Sequence, residues 1–386
     1  MRIAIAGGGI YGATLALSLA SRGHTVHLFD PGPLPHPAAS STDISKVIRL
    51  DYGDDEFYMA LMEAAIAEWH TWNVAFGQPL YHPDGVIMMA RAPLAPGMHE
   101  HDSYQLLLKR GHQPRRLDPA SLHNLVPAWH TDDYLDGYYN PEGGWAASGA
   151  VVERVLAWAH SAGAALHPGH TAVALAQSDT RITGLVFADG STFTADLTII
   201  AAGAWSTKLL PHMADRLTVT GQPVWHLEVN PAQFQPPHFF PWAADIRNTG
   251  WYGFPAQPSG LLKIANHGLG GPLDPDGPRL VTDAMTAHLR AFLQHTFPSL
   301  AAAPIRSTRL CLYCDTWDGD FYLDFDPDHP GLFVATGGSG HGFKFAPLLG
   351  VIAADVIEGT PNPWAARFAW RALGQPTAES ARWVSA

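Results

Sequence analysis

A glycine-rich turn set between two short apolar stretches governs what this chain can fold into. Ile3-Ala4-Ile5-Ala6 suits a strand buried on both faces, and Gly7-Gly8-Gly9-Ile10-Tyr11-Gly12 follows it. A small-residue helix carrying Leu15, Leu17 and Leu19 comes next, with Gly23 where a helix C-terminal cap belongs. Thr25-Val26-His27-Leu28-Phe29 then reads as a second strand ending on Asp30. This is a G-x-G-x-x-G pattern inside a strand–turn–helix–strand unit. Gly7 permits the tight turn, Gly9 lets a pyrophosphate approach the backbone, and Gly12 lets helix and strand close up. The helix start at Ile10 and Tyr11 offers free N–H groups and a partial positive charge to phosphates. Asp30, about 20 residues on, is placed to accept hydrogen bonds from ribose hydroxyls. The pattern predicts a dinucleotide site; a structural turn with no ligand is the alternative reading of the same residues.

The 386 residues suffice for one large domain or two joined ones, and a hydrophobic content of 47% supports a sizeable core. A net charge of −12 argues against a nucleic-acid surface, which needs clustered Lys and Arg. No apolar run is long enough to cross a bilayer, and no cleavage-site pattern follows the first strand, so a cytoplasmic protein is expected. The two cysteines, Cys311 and Cys314, give no disulfide framework.

Beyond Asp30, a proline-rich loop leads to Ser40-Ser41-Thr42-Asp43-Ile44-Ser45-Lys46-Val47-Ile48-Arg49. Small polar residues followed by cations suggest a loop close to a ligand; an ordinary loop entering a strand fits equally. Residues 56–72 read as a helix, as do 104–110, 148–161 and 282–297, while short strands dominate from residue 80 and again over 217–312. His99-Glu100-His101 resembles a ligand set but sits between Pro and Gly residues and reads as a solvated turn. Strand 173–175 starts at Val173, and the apolar run from Leu197 exits through Ala202, Gly203 and Trp205; both are expected beside the nucleotide. Finally, 332–336 is a strand, and Gly337-Gly338-Ser339-Gly340-His341-Gly342 leads into a helix. The fold class expected is α/β, a Rossmann-type domain (1–82, 144–215 and 318–386) interleaved with a strand-rich α+β domain (83–143 and 216–317).

Four segments carry a family resemblance: Gly-His-Gly-Phe-Lys-Phe at 340–345, Tyr-Gly-Phe-Pro at 252–255, Leu-Lys-Ile-x-x-His at 262–267, and Cys-Leu-Tyr at 311–313 followed by Thr316, Asp318 and Phe321. In this order they resemble the monomeric sarcosine oxidase family of flavin amine oxidases, which includes the fructosyl amino acid oxidases. The likeness runs from Gly7 to about Gly359. It implies FAD attached through Cys311, a small amino acid substrate, O₂ as oxidant and a monomer. The implied reaction is hydride transfer from the amine α-carbon to flavin N5, hydrolysis of the resulting imine, and reduction of O₂ to hydrogen peroxide.

By the same resemblance Arg49 and Lys344 grip the substrate carboxylate, a task suited to a charge-assisted, bidentate pair. Gly338, Gly340, His341, Gly342, Phe343 and Lys344 lie along the flavin, where backbone N–H groups stabilise charge building up on reduction. Ser41 and Thr42 fall on the cofactor loop. Lys263 matches a lysine that assists oxygen reduction; a lysine on the solvent face of an edge strand is the plain alternative. Tyr252 and His267 match substrate-side residues, and core packing remains open for each. Cys311 and Cys314 also spell C-x-x-C, which reads alternatively as a redox pair or as buried thiols.

Two positions depart from sarcosine oxidases, with Lys46 at the place of an arginine and Thr42 at that of a histidine. Asp43-x-Ser45-Lys46 looks more like a stretch of the fructosyl enzymes and leans the reading towards a bulkier N-substituent. Three rival readings stay open at this level: a nicotinamide-dependent dehydrogenase, a tRNA-modifying FAD amine oxidase, and a nucleotide-binding module without activity.

Overall fold

A computed structural model describes residues 1–268, 270–377 and 381–383; residues 269, 378–380 and 384–386 of the expected domains lie outside it. The strand β1 (Arg2–Ala6) is buried from Ile3 onward and pairs in parallel with β2 (Thr25–Asp30) on one side and with Leu197–Ile200 on the other. Residues buried on both faces have no polar side to show, which is why this strand reads as an unbroken apolar run. Gly7 takes φ +108°, a value L side chains rarely adopt, and donates its N–H to the Phe29 carbonyl at 2.8 Å. A Cβ at Gly12 would meet the Gly7 carbonyl oxygen at 1.9 Å, so α1 (Ile10–Ser21) packs against the turn only because that atom is missing. Between helices Ser148–Ser161 and Ala346–Glu358, α1 is apolar around most of its circumference.

Six strands form the first sheet, in the order Tyr322–Phe325, Leu332–Thr336, Leu197–Ile200, β1, β2 and Ala165–Pro168. An eight-stranded sheet is built from intervening segments, in the order Ile305–Thr316, Leu217–Glu228, Leu261–Asn266, Trp251–Gly253, Trp242–Ala244, Val86–Ala90, Asp136–Asn140 and Arg115–Leu117. Mostly parallel, helix-covered strands alternate along the chain with a largely antiparallel sheet, which is the mixed α/β architecture expected. No helix among the described residues is long and apolar enough to cross a membrane.

One sequence expectation is overturned. His99 and Glu100 do not form a solvated turn; they open the helix His99–Lys109 and are both buried. Glu100 and Asp102 place acids in its first turn, where the helix dipole favours them. The Ile246 amide donates to Glu100 Oε1 at 3.2 Å, a bond from a residue far along the chain that satisfies the buried carboxyl.

Candidate active site

A cavity of about 610 Å³ opens at the C-terminal ends of β1 and Leu197–Ile200. Gly7, Gly9, Ile10, Tyr11, Asp30, Ser41, Val173, Ala202, Gly203, Trp205, Gly338, Gly340, Gly342 and Phe343 line it. The volume falls in the range of about 300–1,000 Å³ common for ligand and cofactor sites. The buried Tyr11 hydroxyl in its wall has no hydrogen-bond partner among the described residues, as a site built for a polar ligand would leave it. Ser41 Oγ accepts the Ile10 amide at 3.1 Å and so fixes the helix start. Asp30 lines the cavity and also ties the turn, accepting from the Gly8 amide at 2.7 Å and the Gly32 amide at 3.0 Å. Burial raises its carboxyl pKa, and those two amides oppose the rise. A dinucleotide cofactor fits this cradle.

Five expected cofactor residues are absent from its lining. Gly12 sits beneath the turn, and Thr42, Cys311, His341 and Lys344 do not line this cavity. Thr42 Oγ1 is buried with no partner among the described residues. His341 is held by the Tyr52 hydroxyl at 3.1 Å and the Gly319 carbonyl at 3.0 Å. Buried Cys311 has its Sγ 3.9 Å from both Lys46 Nζ and the Ser40 carbonyl, and Lys46 and Ser40 both face the cavity.

A smaller cavity of about 60 Å³ adjoins the first, and Lys46, Tyr313, Gly340 and Phe343 line both. Into it the fold brings Arg49, Tyr252, His267, His341 and Lys344. Arg49 and Lys344 approach the same ring: the guanidinium carbon lies 5.4 Å, and the ammonium nitrogen 4.6 Å, from the Tyr52 centroid. Asp51, fully buried, accepts a 2.5 Å hydrogen bond from the Tyr138 hydroxyl. Burial pushes the Asp51 carboxyl up, and the charges of Arg49 and, more weakly, Lys344 pull it down. His267 Nδ1 lies 3.4 Å from the Tyr313 hydroxyl, and its ring centroid is 6.4 Å from that of Tyr252.

Lys263 lines neither cavity. It does not sit on an edge strand: Leu261–Asn266 lies between Leu217–Glu228 and Trp251–Gly253, and Lys263 is 1% exposed. Its Nζ donates to Asp43 Oδ2 at 2.6 Å and to the Ser45 carbonyl at 2.7 Å, and His226 Nε2 lies 3.0 Å from Asp43 Oδ1. Burial lowers the Lys263 pKa to about 8, against the pull of Asp43. For Asp43 burial works upward, but Lys263, His226 and Lys46 together hold its carboxyl well below the usual range.

The family profile described as FAD dependent oxidoreductase (DAO) matches residues 2–356. The chain belongs to that FAD-dependent family. It is 25% identical over 362 residues to the monomeric sarcosine oxidase of Bacillus sp., covering 92% of this chain and 91% of that enzyme. N-methyl-L-tryptophan oxidase of Salmonella arizonae is 28% identical over 370 residues, covering 93% and 95%. In structure the chain is similar to Amadoriase I of Aspergillus fumigatus, a fructosyl amine:oxygen oxidoreductase, with a TM-score of 0.83, 25% identity, and 96% and 89% of the two chains covered.

Within this FAD-dependent oxidoreductase three residues in or behind the cavity walls were given no role in the sequence reading. Tyr52 carries the Arg49 and Lys344 cations on its ring, Tyr313 lines both cavities, and Asp43 pairs with Lys263. A tyrosine three residues after Arg49 gives no local signal of a shared ring. Asp43 gave none either, since the lysine it pairs with, Lys263, lies 220 residues away in sequence. Cys311 and Cys314 are no redox pair: three apart in one strand, they point to opposite faces and pack in separate clusters.

Proposed function

We propose that this protein oxidises the secondary amine of compact N-substituted amino acids, with O₂ as electron acceptor, hydrogen peroxide as product, and FAD tethered through Cys311. One observation carries the reading: Arg49 and Lys344 share a small, largely apolar cavity that adjoins the cofactor cavity through Lys46, Tyr313, Gly340 and Phe343. Two cations there suit a single carboxylate, with the guanidinium gripping it bidentately. The carboxylate anchors the molecule, and Tyr252, Phe343 and His267 then confine the amine end. Exclusion of water by these walls favours the uncharged amine, which already exposes its lone pair. FAD, when bound, supplies the two-electron chemistry.

The volume of about 60 Å³, walled by Trp242, Tyr252, Phe254 and Phe343, favours a small N-alkyl group over a fructosyl group. A peroxide assay across N-methylglycine, N-methyl-L-tryptophan and fructosyl-glycine tests the proposal. N-methyl compounds should give peroxide, and Arg49→Lys should raise KM by about tenfold or more by losing the bidentate grip. Peroxide from fructosyl-glycine alone would reverse the assignment of the N-substituent. An unaltered KM in Arg49→Lys would take Arg49 out of carboxylate binding.

A further inference from the structure

Beside the six-stranded sheet, in the lining of neither cavity, two histidines converge on one buried carboxylate. His212 lies in the short turn Pro211–Met213, between Leu210 and Met213, which are fully buried. Asp326 and His329 lie in the turn joining Tyr322–Phe325 to Leu332–Thr336. His212 Nε2 is 2.6 Å from Asp326 Oδ2, and His329 Nδ1 is 3.0 Å from Asp326 Oδ1. The two imidazole centroids are 4.3 Å apart with the rings tilted by 31°, and all three ligand atoms lie within 4.8 Å of one another. The carboxylate is wholly enclosed, whereas each imidazole is about one-third exposed (32%).

The geometry points to a site for one divalent transition-metal ion of the Zn²⁺ class, held by His212, Asp326 and His329 and completed by water. Two imidazoles and a carboxylate, with one side open to solvent, form a donor set such ions take at about 2.0–2.2 Å. Bonds of that length place tetrahedral donors about 3.3–3.5 Å apart, a small expansion of the separations present. Each imidazole needs only its other tautomer, with the N–H moved to the nitrogen outside the cluster, to turn a lone pair inward.

The backbone already fixes the carboxylate. The Asp326 amide donates to the Leu332 carbonyl at 3.1 Å, the Leu332 amide to the His329 carbonyl at 3.0 Å, and the Asp328 amide to Asp326 Oδ1 at 2.9 Å. None of the three residues lines either cavity. The ion would therefore clip two turns together and take no part in the redox step.

Holoenzyme stripped with a chelator and titrated with Co²⁺ alone, then displaced by Zn²⁺, tests the site. The wild-type protein should bind one equivalent with visible d–d absorption, and Zn²⁺ should raise its thermal midpoint by a few degrees. His212→Ala and His329→Ala, each checked for native circular dichroism, should weaken Co²⁺ binding by about tenfold or more and abolish the Zn²⁺ shift. Failure of wild type to bind one equivalent, or binding unchanged in either folded variant, overturns the assignment.

Discussion

Lys263 shows how neighbours hold one buried charge. An isolated ammonium at 1% exposure would shed its proton; Asp43 and the Ser45 carbonyl keep it charged up to about pH 8. A positive charge beside the cofactor favours electron transfer to O₂ by stabilising nascent superoxide. If Lys263 serves this end, reoxidation of reduced enzyme by O₂ should slow as pH rises through about 8. Asp43→Asn removes the anion that opposes deprotonation, so the fall should move to lower pH by about one unit or more in stopped-flow measurements. An unmoved inflection would detach Asp43 from that task. Lys263→Met should reoxidise about 10²–10³-fold more slowly, with the substrate-driven half reaction little changed.

The strand Ile305–Thr316 sorts its residues by alternation. Cys311 and Tyr313 share one packing cluster, with Val224 and Ala265, while Cys314 belongs to another, lines the larger cavity and has its Sγ 3.6 Å from Thr336 Oγ1. Cys314 is buried, and burial raises its thiol pKa to about 11, so it stays a protonated, unreactive thiol. Acid precipitation should therefore leave the wild-type and Cys314→Ser proteins yellow and the Cys311→Ser precipitate colourless; colour retained by Cys311→Ser would remove the tether. Legibility follows the same scale. The β1–α1–β2 unit could be read because each of its requirements, from the Gly7 turn to the approach at Gly12, is local. His99–Glu100 could not, since burial of Glu100 depends on the Ile246 amide, 146 residues away in sequence. The Asp43–Lys263 pair, 220 residues apart, was equally hidden. Arg49 and Lys344 were singled out through the family resemblance, whereas the ring of Tyr52 that both approach belongs to the folded structure alone.

Across the whole molecule, buried carboxyls set how stability responds to pH. Burial raises the Glu100 pKa from 4.5 to about 7. Between those values the folded chain holds a proton that the unfolded chain has lost, so stability falls as pH rises from about 4.5 to about 7, by about 3 kcal/mol from this group. Glu100→Gln keeps an oxygen for the Ile246 amide without the charge. Its stability relative to wild type should therefore improve as pH rises through that window, as read by urea unfolding at pH 5 and pH 8; a pH-independent difference would contradict the shift.

The two sheets meet where the two cavities adjoin, and there the account stands or falls. Holoenzyme mixed anaerobically with N-methylglycine should lose its oxidised flavin absorption, then recover it on admission of air with one hydrogen peroxide formed per substrate consumed. Flavin that stays oxidised with every N-substituted amino acid tried, in wild type loaded with FAD, would contradict the assignment of this site to amine oxidation.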